Sequence, residues 1–142
     1  MRVLIDTNVA LTYLSGRNDR YADDCREILR LCASQTIEGY LAFHSLSTIW
    51  YVTRKAPDPD RRGWLKDLCT VLNVAGATRQ AVLEALNQVT FKDFEDALQD
   101  CCAQNVEADY LITANIRDFE GVSKTPAVTP DVFLEILARG ET

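Results

Sequence analysis

The chain opens MRVLIDTN (residues 1–8), and the apolar run of residues 2–5, broken at once by Asp6, decides how the rest is read. Val3, Leu4 and Ile5 follow one another without polar alternation, the pattern of a short strand buried on both faces, as in parallel sheets. Asp6 then falls at the carboxyl end of that strand. Working outward, Tyr21, Ala22, Cys25, Ile28, Leu29 and Cys32 recur at helical spacing in a segment that begins at Asn18. Glu38 and Gly39 end that period before a second apolar stretch at Tyr40, Leu41 and Ala42. The unit reads strand, helix, strand.

The alternation continues to the end of the chain. Ser45 can cap a helix carrying Leu46, Ile49, Trp50 and Thr53, which the Pro57–Pro59 segment ends as a loop. Trp64, Leu65 and Leu68 suggest a short helix before a strand over residues 71–74, and Thr78 can cap a helix bearing Ala81, Val82, Ala85, Leu86 and Val89. Phe94, Ala97, Leu98, Cys101 and Cys102 form the next apolar stripe, and Tyr110, Leu111 and Ile112 the next strand. Ala127 and Val128 give a last short strand, after which Thr129 and Pro130 supply an N-cap and a first-turn proline for a helix with Val132, Phe133, Ile136 and Leu137. The expected fold is a single three-layer α/β/α domain over residues 1–142 with a mostly parallel central sheet, its ligands gathering outside the carboxyl ends of the strands.

Composition narrows the class. At 142 residues, 47% apolar and 25% charged, the chain suits one globular domain. The early Asp6 leaves no room for a signal-peptide apolar region, and no apolar run approaches the roughly 18 residues of a membrane span. Five cysteines without paired CxxC spacing argue against a disulfide framework or a structural zinc site, so a reducing cytoplasm is the expected location. The formal charge of −6 runs against the basic face of most nucleic-acid binders. A carboxylate cluster that awaits a cation lowers the net charge in just this way, and acidity also suits a basic protein partner.

Three acidic segments carry the chemistry. Asp6 can serve a site at the strand end, or simply cap the helix that begins near Val9. Asp93, Asp96 and Asp100 repeat at spacings of three and four and share a helical face opposite the apolar stripe. For Asp93, Glu95 and Asp100 a solvated acidic face is the ordinary reading, whereas Asp96 borders the buried stripe. The third segment, TANIRDF (residues 113–119), is a polar loop after a strand that offers Thr113, Asn115 and Asp118. Aspartates at three separated element ends suit Mg²⁺ or Mn²⁺, which take a few carboxylates and complete their shell with water and substrate phosphate. Such a cation acidifies water and steadies phosphoryl charge, so no protein nucleophile is needed. His44, the lone histidine, reads as a satisfied structural residue rather than a general base.

LIDTNV (residues 4–9), DFEDALQ (residues 93–99) and TANIRDF, in this order, resemble the motifs of PIN-domain ribonucleases; VTPDVFLEIL (residues 128–137) resembles the closing strand and helix of bacterial members, including the toxins of toxin–antitoxin pairs. The resemblance implies Asp6, Asp96 and Asp118 as metal ligands and catalytic residues. Asn115 competes with Asp118, Asp93 is an alternative ligand, and Asn8 and Thr113 are supporting groups. It further implies Mg²⁺ or Mn²⁺ as cofactor, RNA as substrate, a small antitoxin as partner, and a homodimer; Trp50, Tyr51 and Trp64 can serve such an interface or, equally well, the core. One departure stands out: the family's glutamate on the helix after the second strand is missing. No acid lies between Tyr40 and Ala56, and Ile49 or Trp50 falls where it is expected, so the site is one charge short unless Asp93 moves in.

Three functions follow. The first is a metal-dependent endoribonuclease acting as a toxin; the second is a degenerate PIN fold that binds RNA or protein without cutting. An unrelated metal-dependent phosphatase ranks last, because DTN lacks the second aspartate that phosphoaspartyl enzymes use. Arg54, Lys55, Arg61, Arg62, Lys92, Arg117 and Lys124 are candidate phosphate contacts, each equally well a solvated base.

Overall fold

Val3, Leu4 and Ile5 of strand β1 (Arg2–Ile5) are wholly buried, as an unalternating apolar run requires. The computed structural model describes residues 1–16, 19–87 and 89–140. Within them β1 is the centre of a five-stranded sheet with β2 (Glu38–Ala42), β3 (Asn73–Ala75), β4 (Tyr110–Ile112) and β5 (Ala127–Val128). The order is β3-β2-β1-β4-β5, and every pairing is parallel. Parallel neighbours need long crossovers. Helices α1 (Thr7–Ser15), α2 (Ala22–Ala33), α3 (Phe43–Val52), α4 (Asp58–Val71), α5 (Arg79–Asn87) and α6 (Phe94–Asn105) supply them, and α7 (Pro130–Ala138) closes the fold.

The side chains of β1 divide the core in two. Val3 and Ile5 join Val9, Ile28, Leu68 and Phe133 on the face covered by α1, α2, α4 and α7. Leu4 joins Ala85, Ala97, Cys102 and Phe119 on the face covered by α5 and α6. This is the expected three-layer α/β/α domain. Close packing shows at Gly39 in β2, where a Cβ would stand 2.5 Å from Cys32 Sγ and 2.6 Å from Leu72 Cδ2. All five cysteines are free. Among the described residues no helix is long and apolar enough to cross a membrane.

Several local expectations need correction. Asn18, taken as the start of the first long helical pattern, lies outside the described residues; α2 begins at Ala22. Pro57–Pro59 is not a helix-ending loop but the start of α4, with Pro57 at the N-cap and Pro59 in the first turn, where a missing N–H costs nothing. That helix has 14 residues, so β3 starts at Asn73 rather than at residue 71. Ser45 does not cap α3, which begins at Phe43; its side chain is fully buried inside the helix. Asp100 is no solvated acid either. It is 1% exposed, and its carboxylate accepts the N–H groups of Lys124 (2.9 Å) and Thr125 (3.1 Å), tying the loop before β5 to α6. Thr78 does cap α5, its Oγ1 accepting the Ala81 N–H at 3.1 Å.

Chain order reverses between β1 and β4: β2 and β3 lie on one side of β1, β4 and β5 on the other. The connections out of these two strands part in opposite directions and leave a crevice at their carboxyl ends. Asp6 follows β1 and Thr113 follows β4, and the Asp6 N–H donates to Ile112 O at 3.0 Å.

Candidate active site

Asp6 is both the cap and the floor of that crevice. Leaving β1 in an extended conformation (φ −62°, ψ 150°), it is the N-cap of α1, and its Oδ1 accepts the Thr7 N–H at 2.9 Å. Its Oδ2 accepts the Thr113 hydroxyl at 2.8 Å. The side chain is fixed from two strands at once and only 3% exposed. Burial raises its pKa to about 6, against the Thr113 hydrogen bond, with the negative charge of Glu95 adding to the rise.

Asp96 lies half-buried in the first turn of α6, and no hydrogen bond holds its carboxylate among the described residues. Burial, followed by the charges of Asp93, Asp6, Glu95 and Asp118, raises its pKa to about 7. Two of the aspartates singled out from the sequence, Asp6 and Asp118, therefore both act on the third. Asp118 ends a short 3₁₀ helix (Ile116–Asp118) and is exposed. Asn115 is exposed too; its backbone N–H donates to Thr113 Oγ1 at 3.0 Å, so it shapes the loop. Asp93 caps α6, accepting the Glu95 N–H at 2.9 Å. Asn8 stands exposed on α1.

The sequence reading missed the polar network beside Asp6. Gln99, fully buried on α6, places Nε2 2.9 Å from Thr7 Oγ1, 2.9 Å from Ser45 Oγ and 3.0 Å from Glu95 Oε1. Thr7 and Ser45 hydroxyls meet at 2.7 Å. His44 Nε2 lies 3.3 Å from Glu95 Oε1, so the lone histidine is indeed satisfied, but by an acid at the site. His44, with Gln99 and Thr7, holds the Glu95 carboxyl below its usual range despite burial. The available signal was Gln99 itself, a polar side chain at the spacing of the apolar stripe.

Beside these acids a cleft of 620 Å³ is lined by Arg20, Tyr21, Asn115, Arg117, Asp118 and Asp131, among others. Arg20 lies over the Tyr21 ring at 5.1 Å. Other candidate phosphate contacts are engaged elsewhere: Arg54 stacks on Tyr51, and Arg61 and Arg62 on Trp50.

Among the described residues no three carboxylate, imidazole or thiol groups converge tightly enough to form a ready-made metal cage. The donors nonetheless fit a hard divalent cation. They are oxygens only, and the Asp96 carboxylate, without a hydrogen bond among the described residues and with acids around it, has the environment that a cation neutralises. Mg²⁺ in particular keeps several waters and needs few protein ligands.

Comparison with known proteins agrees with this fold. Among curated proteins none matches the chain. Among solved structures, VapBC2 from Rickettsia felis bound to a fragment of its promoter DNA superposes with a TM-score of 0.71 at 16% identity, covering 91% of this chain and 98% of that one. VapBC-1 from nontypeable Haemophilus influenzae gives 0.69 at 18% identity, covering 92% and 99%. VapC20 from Mycobacterium tuberculosis, a toxin that cleaves the sarcin–ricin loop, gives 0.58 at 18% identity, covering 87% and 99%. The PIN domain family model matches residues 2–117, and the chain belongs to the PIN-domain family.

Proposed function

We propose that this protein is an endoribonuclease dependent on Mg²⁺ or Mn²⁺, and the toxin of a toxin–antitoxin pair. The observation that carries the reading is the buried Asp6 carboxylate fixed at the switch point of the sheet beside the half-buried Asp96: burial first and neighbouring negative charge second raise Asp6 to about 6 and Asp96 to about 7. Acids that burial and neighbouring charge raise in this way are the mark of a functional site more than of a structural one.

Asp6, Asp96 and Asp118 would hold the cation. What it supplies when bound is charge stabilisation on the scissile phosphate and a more acidic water. Thr113 and the Thr7 N–H fix both oxygens of Asp6, so its ligand geometry is set before any substrate arrives. Arg20 and Arg117 line the adjoining cleft at a place where an RNA backbone can be steadied as it passes Asp118. The likeness to VapBC complexes and the net charge of −6 support a basic antitoxin as partner.

The test is cleavage of a mixed RNA pool by partner-free protein with Mg²⁺, Mn²⁺ or EDTA, beside an Asp6→Asn variant. Metal-dependent cutting that vanishes in the variant is expected. A second reading, a PIN fold that binds RNA or protein without cutting, is favoured by the lack of three converging ligands among the described residues. RNA binding without cutting under either metal would establish it instead.

A further inference from the structure

The α3 positions where the sequence led one to look for the missing glutamate face away from the site. Ile49 is 1% exposed in the core, and Trp50 lies under the guanidinium of Arg61 at 3.6 Å. The end of α3 that does reach the site carries His44 and Ser45, and both meet residues of α6. From α6 a carboxylate comes back the other way: Glu95, one residue before Asp96.

We propose that Glu95 replaces the absent α3 glutamate as a ligand of the same cation site as Asp6 and Asp96, with His44, Gln99 and Thr7 as its positioning residues. The inference rests on the reading above. Its basis is how the side chain is held. Oε1 receives Gln99 Nε2 at 3.0 Å and Thr7 Oγ1 at 3.4 Å, and stands 3.3 Å from His44 Nε2, three anchors from three helices. Oε2 takes no hydrogen bond among the described residues and remains a free hard-oxygen donor. Thr7 links the two acids directly: its N–H binds Asp6 Oδ1, while its hydroxyl reaches Glu95.

The clamp itself is costly, which argues against a merely structural role. Gln99 is fully buried, yet among the described residues its Oε1 has no partner, while its amide nitrogen, with two hydrogens, stands within reach of Thr7, Ser45 and Glu95. A leucine at residue 99 would fill the same space without an orphaned oxygen. An amide there makes sense if it serves to hold a charged group in one position.

The experiment is calorimetric titration of Mn²⁺ into the full chain and into Glu95→Gln, His44→Ala and the double variant His44→Glu/Glu95→Gln, with Asp6→Asn as control and urea midpoints for each. Glu95→Gln is expected to weaken Mn²⁺ binding about tenfold or more, and His44→Ala several-fold. The double variant returns an acid to α3 and is expected to recover most of the loss, which a structural role does not allow. Unchanged affinity in Glu95→Gln while Asp6→Asn abolishes binding overturns the inference and leaves the nuclease reading intact. A loss in Glu95→Gln that the double variant fails to recover also overturns it. Absence of Mn²⁺ binding by the unmodified chain overturns both.

Discussion

Replacing Asp96 by asparagine exchanges a carboxylate that makes no hydrogen bond among the described residues for a neutral group of nearly equal size. A pKa of about 7 in the fold against 3.8 for the free side chain means that the native state holds a proton more tightly than the unfolded chain. Folding stability must then fall as pH rises from about 4 to about 7, and the loss is fully present above the folded pKa. At about 1.4 kcal/mol for each pH unit between the two values, the full effect is about 4 kcal/mol; water at the half-buried carboxyl reduces it to about 2 kcal/mol. Asp96→Asn is therefore expected to stabilise the metal-free protein by about 2 kcal/mol at pH 8, and by well under about 1 kcal/mol at pH 4.5. Urea denaturation in EDTA at both pH values measures this, and a matching slope m shows that only stability changed. Adding Mn²⁺ should raise the midpoint of the unmodified chain and not that of the variant. A variant less stable at pH 8, or equally stabilised at both pH values, would refute the argument that burial and neighbouring charge destabilise the ionised Asp96 carboxylate.

Thr113→Val removes the donor to Asp6 Oδ2 and the acceptor of the Asn115 N–H, so Mn²⁺ affinity should fall about tenfold in calorimetry, with the fold retained by circular dichroism. Gly39→Ala forces a methyl against Cys32 and Leu72, and chemical denaturation should register a loss of about 1–3 kcal/mol without a change in RNA cleavage per folded molecule. The pair Arg20→Ala and Arg117→Ala should weaken RNA binding by Asp6→Asn protein and flatten its salt dependence, as read by fluorescence anisotropy across a salt series.

The strands were legible because their signals are local. Apolar runs such as residues 3–5 and 110–112, each ended by a polar residue, are what a sheet covered on both sides demands. The two readings of Asp6, cap or site, do not exclude one another, because one carboxylate has two oxygens: Oδ1 caps α1, while Oδ2 is held by Thr113 from the end of β4. The prolines at residues 57 and 59 were ambiguous for a physical reason: the residue that ends one helix is equally suited to begin another. Helical spacing set Asp96 apart at the border of the buried stripe but left Asp100 on a solvated face. What spacing does not show is the loop at Lys124 and Thr125, which lies far along the chain and consumes the Asp100 carboxylate alone. Glu95 was hidden for the same cause, since its anchors His44 and Thr7 come from other helices and spacing along α6 says nothing about them.

Anomalous diffraction from crystals soaked in Mn²⁺ tests the central claim most directly. One strong peak is expected in the crevice between β1 and β4, within coordination distance of the Asp6 and Asp96 carboxylates and absent from Asp6→Asn crystals. A Mn²⁺ ion bound elsewhere on the chain, with the crevice holding only water at saturating metal, would contradict it.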